Sequence, residues 1–226
     1  MNTKLLLAAA LVLSPATLFA AVVAVPGSAN PWLAGMPDGS TAGNGQDFAP
    51  AQSPIQVPSG LLAAGVPLSF SATGGTSFRT DGSLTPAEGD LAAITTRDPG
   101  AENGIADLVV PLSALIGVFL DDTQPSLSVA PDRLDFSDPA SRDFLSLDPV
   151  LRQPFYIGDG LTSASVVQEF NIPTGATRLY LGTMDGFGWF NNIGVLTVTI
   201  TPIPEPASAL LTLPLLALTT RRLRRA

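Results

Sequence analysis

Between Val25 and Ile203 no stretch keeps an apolar residue every 3.6 positions, whereas several keep one at every second position. Leu196-Thr-Val198-Thr-Ile200-Thr201 is the strictest, and Leu68-Ser-Phe70-Ser-Ala72-Thr73 follows the same rule. Side chains on a strand point alternately to its two faces, so each pattern predicts a strand with one buried face. Thr177–Leu181 and Val166–Ile172 are further candidates, and Ile116–Leu120 reads as a strand buried on both faces. Turn signals fall between them at Gly74-Gly75, Asp81-Gly82, Pro99-Gly100, Asp159-Gly160 and Pro173-Thr-Gly175. With no helix to cross between parallel neighbours, this spacing predicts an all-β, antiparallel β-sandwich or jelly roll over residues 57–202. Residues 25–56, broken by Pro31, Pro37, Pro50 and Pro54, read as an extended N-terminal arm anchored by Trp32. Asp121–Pro154 reads as a long acidic loop, and no internal repeat is present.

Missing residue types narrow the chemistry further. The chain has no Cys and no His, which removes disulfides, thiol catalysis, His-dependent triads and nearly all zinc sites. Its only lysine is Lys4, so Schiff-base and Ser-Lys chemistry are absent from the region after Ala24. Between Val25 and Ile203 six arginines stand against eighteen acids, a balance of −12 that would repel nucleic acid. Carboxylate-pair hydrolysis is the main catalytic option left. Asp81, Glu88 and Asp90, or Asp121 with Asp122, are its candidate acids. Acidic loops are more often a solvated face, and the expectation is that the protein is not an enzyme.

The two ends carry targeting features. Residues 1–24 read as a signal peptide: Lys4 begins it, Leu5–Leu13 form its apolar centre, and Ala20, Ala21 or Ala24 supplies the small residue at the cleavage site. At the other end Pro204-Glu205-Pro206 precedes the apolar run Ala207–Thr220 and then Arg221, Arg222, Arg224 and Arg225. Fourteen residues fall short of the roughly 20 that span a bilayer; Leu223 and snorkelling arginines extend the run to a marginal transmembrane helix. The arginines would keep its end cytoplasmic. This order of tripeptide, apolar segment and arginine cluster over 203–226 resembles the PEP-CTERM sorting signal. The resemblance implies export in a Gram-negative-type bacterium, transient inner-membrane anchoring, and removal of the tail by an exosortase. Delivery to the cell surface or an extracellular polysaccharide (biofilm) matrix would follow.

The run Leu179–Ile200 carries the binding chemistry. A strand ends at Gly182, a glycine-rich loop follows, and Asn191-Asn192 precede the last strand. Asp185, Asn191 and Asn192 offer oxygen side chains around one loop, the hard ligands that suit Ca²⁺. The plainer alternative is that these side chains only close the turn through bonds to the backbone.

Asp185, Asn191, Asn192 and Gly194 also match the metal loop of the PA-IL-like (galactophilic lectin) family, which this chain resembles over Val57–Thr201. Pro111–Gly117, Phe155–Gly158 and Gly175–Gly182 match other phrases of that fold. The resemblance implies a β-sandwich in which one Ca²⁺ bridges protein and carbohydrate. It adds the main-chain carbonyls of Phe78 and Trp189 to the ligands. Apart from the resemblance, Phe187 or Trp189 offers a ring that would stack on a sugar face, the alternative for both being core packing. The loop is one residue shorter than in sugar-binding members, and the sugar-contacting His has no counterpart. The expectation is therefore a sorted surface protein that binds calcium and engages exopolysaccharide, with a ligand-free structural sandwich as its rival.

Overall fold

The computed structural model describes residues 19–203. Most of the proposed signal segment and the sorting residues Pro204, Glu205, Pro206, Arg221, Arg222, Arg224 and Arg225 lie outside that range. Among the described residues no helix is long and apolar enough to cross a membrane.

The fold is all-β. In chain order the strands are β1 Ala21–Pro26, β2 Thr41–Ala42, β3 Asp47–Phe48, β4 Ile55–Gln56, β5 Leu68–Ser77, β6 Asp90–Thr96 and β7 Leu108–Leu112. They continue with β8 Leu115–Leu120, β9 Leu134–Asp135, β10 Ser146–Leu147, β11 Phe155–Tyr156, β12 Glu169–Phe170, β13 Arg178–Thr183 and β14 Ile193–Pro202. One main sheet has the order β1-β14-β5-β12-β10 and the other β11-β8-β13-β4. The strands β6-β7-β9 form a smaller sheet, and β2-β3 a short ladder. Pairing is antiparallel except at β10–β12 and β7–β9, two short parallel contacts that the sequence does not announce.

Alternation becomes burial as expected. On β14 the side chains of Leu196, Val198 and Ile200 are buried, while Thr197 and Thr201 face solvent. All six residues of β8 are buried, which its unbroken apolar run requires. Ring contacts join the two main sheets. Phe70 on β5 meets Phe170 on β12 edge-on at 4.9 Å, Phe170 meets Phe155 on β11 at 5.6 Å, and Phe155 stacks on Phe119 of β8 at 5.3 Å. Such pairs add about 0.5–1.5 kcal/mol each to their area burial.

Three differences from the sequence reading follow from pairing at long range. The segment expected as an arm is partly woven into the sheets: its β4 is the edge of one main sheet, and β1, the edge of the other, takes Val25 and Pro26 from it and Ala21–Ala24 from the expected signal segment. Val166–Ile172 supplies only the two-residue β12. The strands β6 and β7 form, although the alternation in Asp90–Thr96 buries little and pattern alone announces neither.

Strand β1 also bears on the chain's start. Ala21–Ala24 pair with Ile200–Thr197, four of the six rungs of the β1–β14 ladder. A chain beginning at Val25 gives these rungs up. It should be less stable than one beginning at Ala21 by at least ~2 kcal/mol, or ~5 °C in melting temperature. Equal melting of the two chains would show that the ladder contributes nothing.

Candidate metal site

The loop between β13 and β14 gathers the predicted ligands at one end of the sheets. Asp185 lies two residues past β13, and Trp189–Asn191 make a single 3₁₀ turn that delivers Asn192 to the start of β14. Gly188 enters this turn with a φ of 82°, in the left-handed region that favours glycine. Gly194 is fixed sterically, because a Cβ there would run into the Gly75 carbonyl of β5. The ladder between β5 and β14 closes with Ser77 opposite Ile193, so Phe78 and Asn192 are the next residue along each strand.

Asp185 closes the turn through a side-chain to backbone bond, whereas Asn192 ties the loop to the distant segment after β1. Asp185 Oδ1 accepts from the Phe187 N–H at 3.1 Å, and Asn192 Nδ2 donates to the Gly27 carbonyl at 3.1 Å. Those bonds leave the other oxygens unused. Among the described residues seven buried side-chain polar atoms lack a partner, and three of them are Asp185 Oδ2, Asn191 Oδ1 and Asn192 Oδ1. An unpaired buried acceptor costs about 1–3 kcal/mol, so three on one loop call for a partner from outside the chain, either water or a cation. The residues fit Ca²⁺, which takes oxygen from carboxylates, amides and main-chain carbonyls alike. No cluster of three His, Cys, Asp or Glu exists among the described residues, so such a site would rest on one carboxylate and neutral oxygens.

Asp185 is 6% exposed, and burial pushes its carboxyl up to about 6. The N–H of Phe187, the dipole of the neighbouring Asn192 amide (which makes no hydrogen bond of normal geometry to Asp185) and the N–H of Gly186 offset this only in part, and the nearby Asp47 carboxylate adds to it. A cation beside the carboxylate would reverse that penalty.

The residues that hold the loop were not foreseen from sequence. Asp47 on β3 is fully buried and accepts from the N–H groups of Trp189 at 3.1 Å and Phe190 at 2.9 Å, and from Asn30 Nδ2 at 3.0 Å. Burial raises its carboxyl despite these bonds and the attraction of Arg97. Arg97 has a fully buried side chain; its guanidinium carbon lies 5.2 Å from the Trp32 ring centre and 5.1 Å from that of Trp189. It donates to the Gly186 carbonyl at 3.1 Å, bonds the Asp98 carbonyl, and pairs with Glu102. Asp47 carries no local signal, because the N–H groups it serves lie far away in the chain, and neither do the contacts of Arg97 with Gly186, Trp32 and Trp189.

Trp189 is a correction. It is fully buried, 5.5 Å from Trp32 and with its Nε1 bonded to the Thr183 carbonyl at 2.8 Å, so it packs the core and cannot stack on a sugar. Its main-chain carbonyl already accepts from the Asn192 N–H at 3.1 Å. The exposed rings are Phe187, 38% accessible, together with Phe190 and Phe48, both about half exposed and both overlooked in the sequence. Phe48 and Phe190 belong to segments joined through the Asp47 carboxylate.

The acids considered for hydrolysis sit in different settings. Glu88 and Asp90 line different hollows, and Asp81 pairs with Arg79 at the surface. Asp121 bonds Thr123, and Asp122 accepts from Thr177 at 2.6 Å.

A carboxyl whose folded value is raised stabilises the fold while protonated, and that stability disappears as pH rises from its unfolded value of about 3.9 through about 6. Without metal, Asp185 should therefore cost the domain ~2–3 kcal/mol between about pH 4 and pH 7. Asp185→Asn should flatten the melting profile over that range, apart from the part due to Asp47; an unchanged profile would contradict the burial of the charge. No family model, curated protein or solved structure matches the chain.

Proposed function

We propose that this chain is an exported surface or matrix protein whose two main sheets form a lectin-like β-sandwich that binds Ca²⁺ and engages carbohydrate. The observation that carries the proposal is the set of three orphaned oxygens on Asp185, Asn191 and Asn192. These residues, with the main-chain carbonyl of Phe78 beside Asn192, would hold the ion. Bound there, the ion would neutralise Asp185 and offer open positions to sugar hydroxyls. The fixed loop supports this reading, since Asp47 and Arg97 hold the backbone in place before any ion arrives and less ordering is left to binding. Phe187, Phe190 and Phe48 supply apolar faces against which a pyranose ring could rest.

With only one charged ligand, affinity falls in the range of extracellular calcium modules, Kd ~10⁻⁴–10⁻³ M. About 10 mM calcium at neutral pH should then stabilise the chain by ~2 kcal/mol, or ~5 °C. Asp185→Asn should abolish the rise, and a glycan array should lose its signals when chelator is added. No thermal shift with calcium would leave a structural sandwich without ligand.

Export and sorting complete the reading. Because Ala21–Ala24 are built into β1, signal cleavage after Ala20 would leave the ladder whole. The PEP-CTERM-like tail would then hold the protein at the inner membrane until an exosortase cuts it. Replacing Pro204-Glu205-Pro206 with alanines should leave a surface protein heavier by the tail mass; the same mature mass in both would refute tail processing.

A further inference from the structure

Away from the metal loop, a cleft of about 340 Å³ opens between the β5–β6 connection, the one-turn helix Pro139–Arg142 and the segment 159–163. That volume lies at the lower end of small-molecule sites. Tyr156 stands in its wall. The residue is 5% exposed and its ring lies 5.8 Å from that of Phe136. Its hydroxyl makes no hydrogen bond among the described residues and is not one of the fully enclosed polar atoms, so it meets the cleft. Gly158, at a φ of 61°, leaves room for that hydroxyl, since a Cβ there would sit 2.5 Å from the oxygen. Burial first, and then the Glu88 carboxylate, push the phenol well above its ordinary value, so the hydroxyl keeps its proton.

The charged groups around it are unevenly committed. Asp143 accepts from the Ser163 N–H at 2.6 Å and its hydroxyl at 3.0 Å, and Asp159 accepts from the Leu161 N–H at 2.9 Å. Arg142 is turned to the carbonyls of Phe136 and Ser137. Glu88 makes no ion pair or hydrogen bond among the described residues. Three carboxylates against one guanidinium leave the wall negative, while Leu91 and Leu161 give it apolar ground.

We propose that this cleft binds an amino sugar, with Glu88 accepting from the protonated amine, Tyr156 bonding a ring hydroxyl, and Leu91 and Leu161 covering the ring's apolar face. The amine answers the negative wall, the ring hydroxyls answer the unpartnered phenol, and the carbon skeleton answers the leucines. A neutral hexose would leave the Glu88 charge unmatched, and a simple amine would leave the phenol and the leucines without contact. The site shares no residue with the metal loop and does not depend on it.

The test is calorimetry of the full chain in amine-free buffer with excess chelator at about pH 6.5, where the sugar amine is charged. The probes are glucosamine, glucose and ethanolamine. Glucosamine should bind at least about tenfold tighter than either of the others. Glu88→Gln should weaken it about tenfold and Tyr156→Phe about fivefold, both with an unchanged melting temperature, while Asp185→Asn should bind it as the parent does. Glucose or ethanolamine binding as well as glucosamine, no heat with glucosamine, or full affinity in Glu88→Gln would overturn the proposal.

Discussion

The carboxylate of Asp47 is the constraint from which the metal loop follows. It is a buried charge whose bonds are three N–H donors, two of them main-chain groups of Trp189 and Phe190, so the loop must curl around it. Arg97 completes the arrangement, its guanidinium close to the Trp32 and Trp189 rings and joined to the Gly186 carbonyl. Removing one partner of such a buried set is strongly destabilising, because the other charge is left uncompensated. The outcome is a loop held at several backbone atoms, on which the oxygens of Asp185, Asn191 and Asn192 have little freedom to seek other partners.

That rigidity explains why three acceptors can stay unpaired. In a freer loop they would turn to water or to the backbone, as Asp185 Oδ1 does toward Phe187. Here the stability lost to orphaned oxygens is the expected signature of a site built for a ligand. The chain's composition agrees: with no imidazole or thiol anywhere and no amine side chain beyond Lys4, recognition through oxygen and a hard cation is the specialised chemistry within its reach. The Tyr156 cleft follows the same logic on a smaller scale, with one unpaired hydroxyl and one uncommitted carboxylate facing a common space.

Much of the fold was legible where strands alternate. The patterns at Leu68–Thr73 and Leu196–Thr201 became the long central pair β5 and β14, and the continuous apolar run became β8, since face and burial are local properties of strand geometry. The proline-rich start was not legible, because two-residue strands such as β2, β3 and β4 exist only through their distant partners. Residue type and spacing picked out Asp185, Asn191 and Asn192 as a group, and the structure brings their unpaired oxygens onto one loop. The same reasoning could not place Trp189, whose aromatic ring suits a sugar face and a core equally well; its neighbours Trp32 and Arg97 put it inside. Asp47 was silent for a related reason. An isolated acid among glycines looks like a solvated turn until the N–H groups it serves are folded over it.

The central claim is that Asp185 and its two neighbouring asparagines form a cation site, and terbium luminescence tests it most directly. Terbium is a hard, oxygen-seeking ion, and the only tryptophans, Trp32 and Trp189, pack together beneath the loop where they can sensitise it. The account predicts tryptophan-excited terbium emission that calcium displaces and that Asp185→Asn removes. Emission that persists unchanged in that variant, or that never develops in the parent chain, would contradict it.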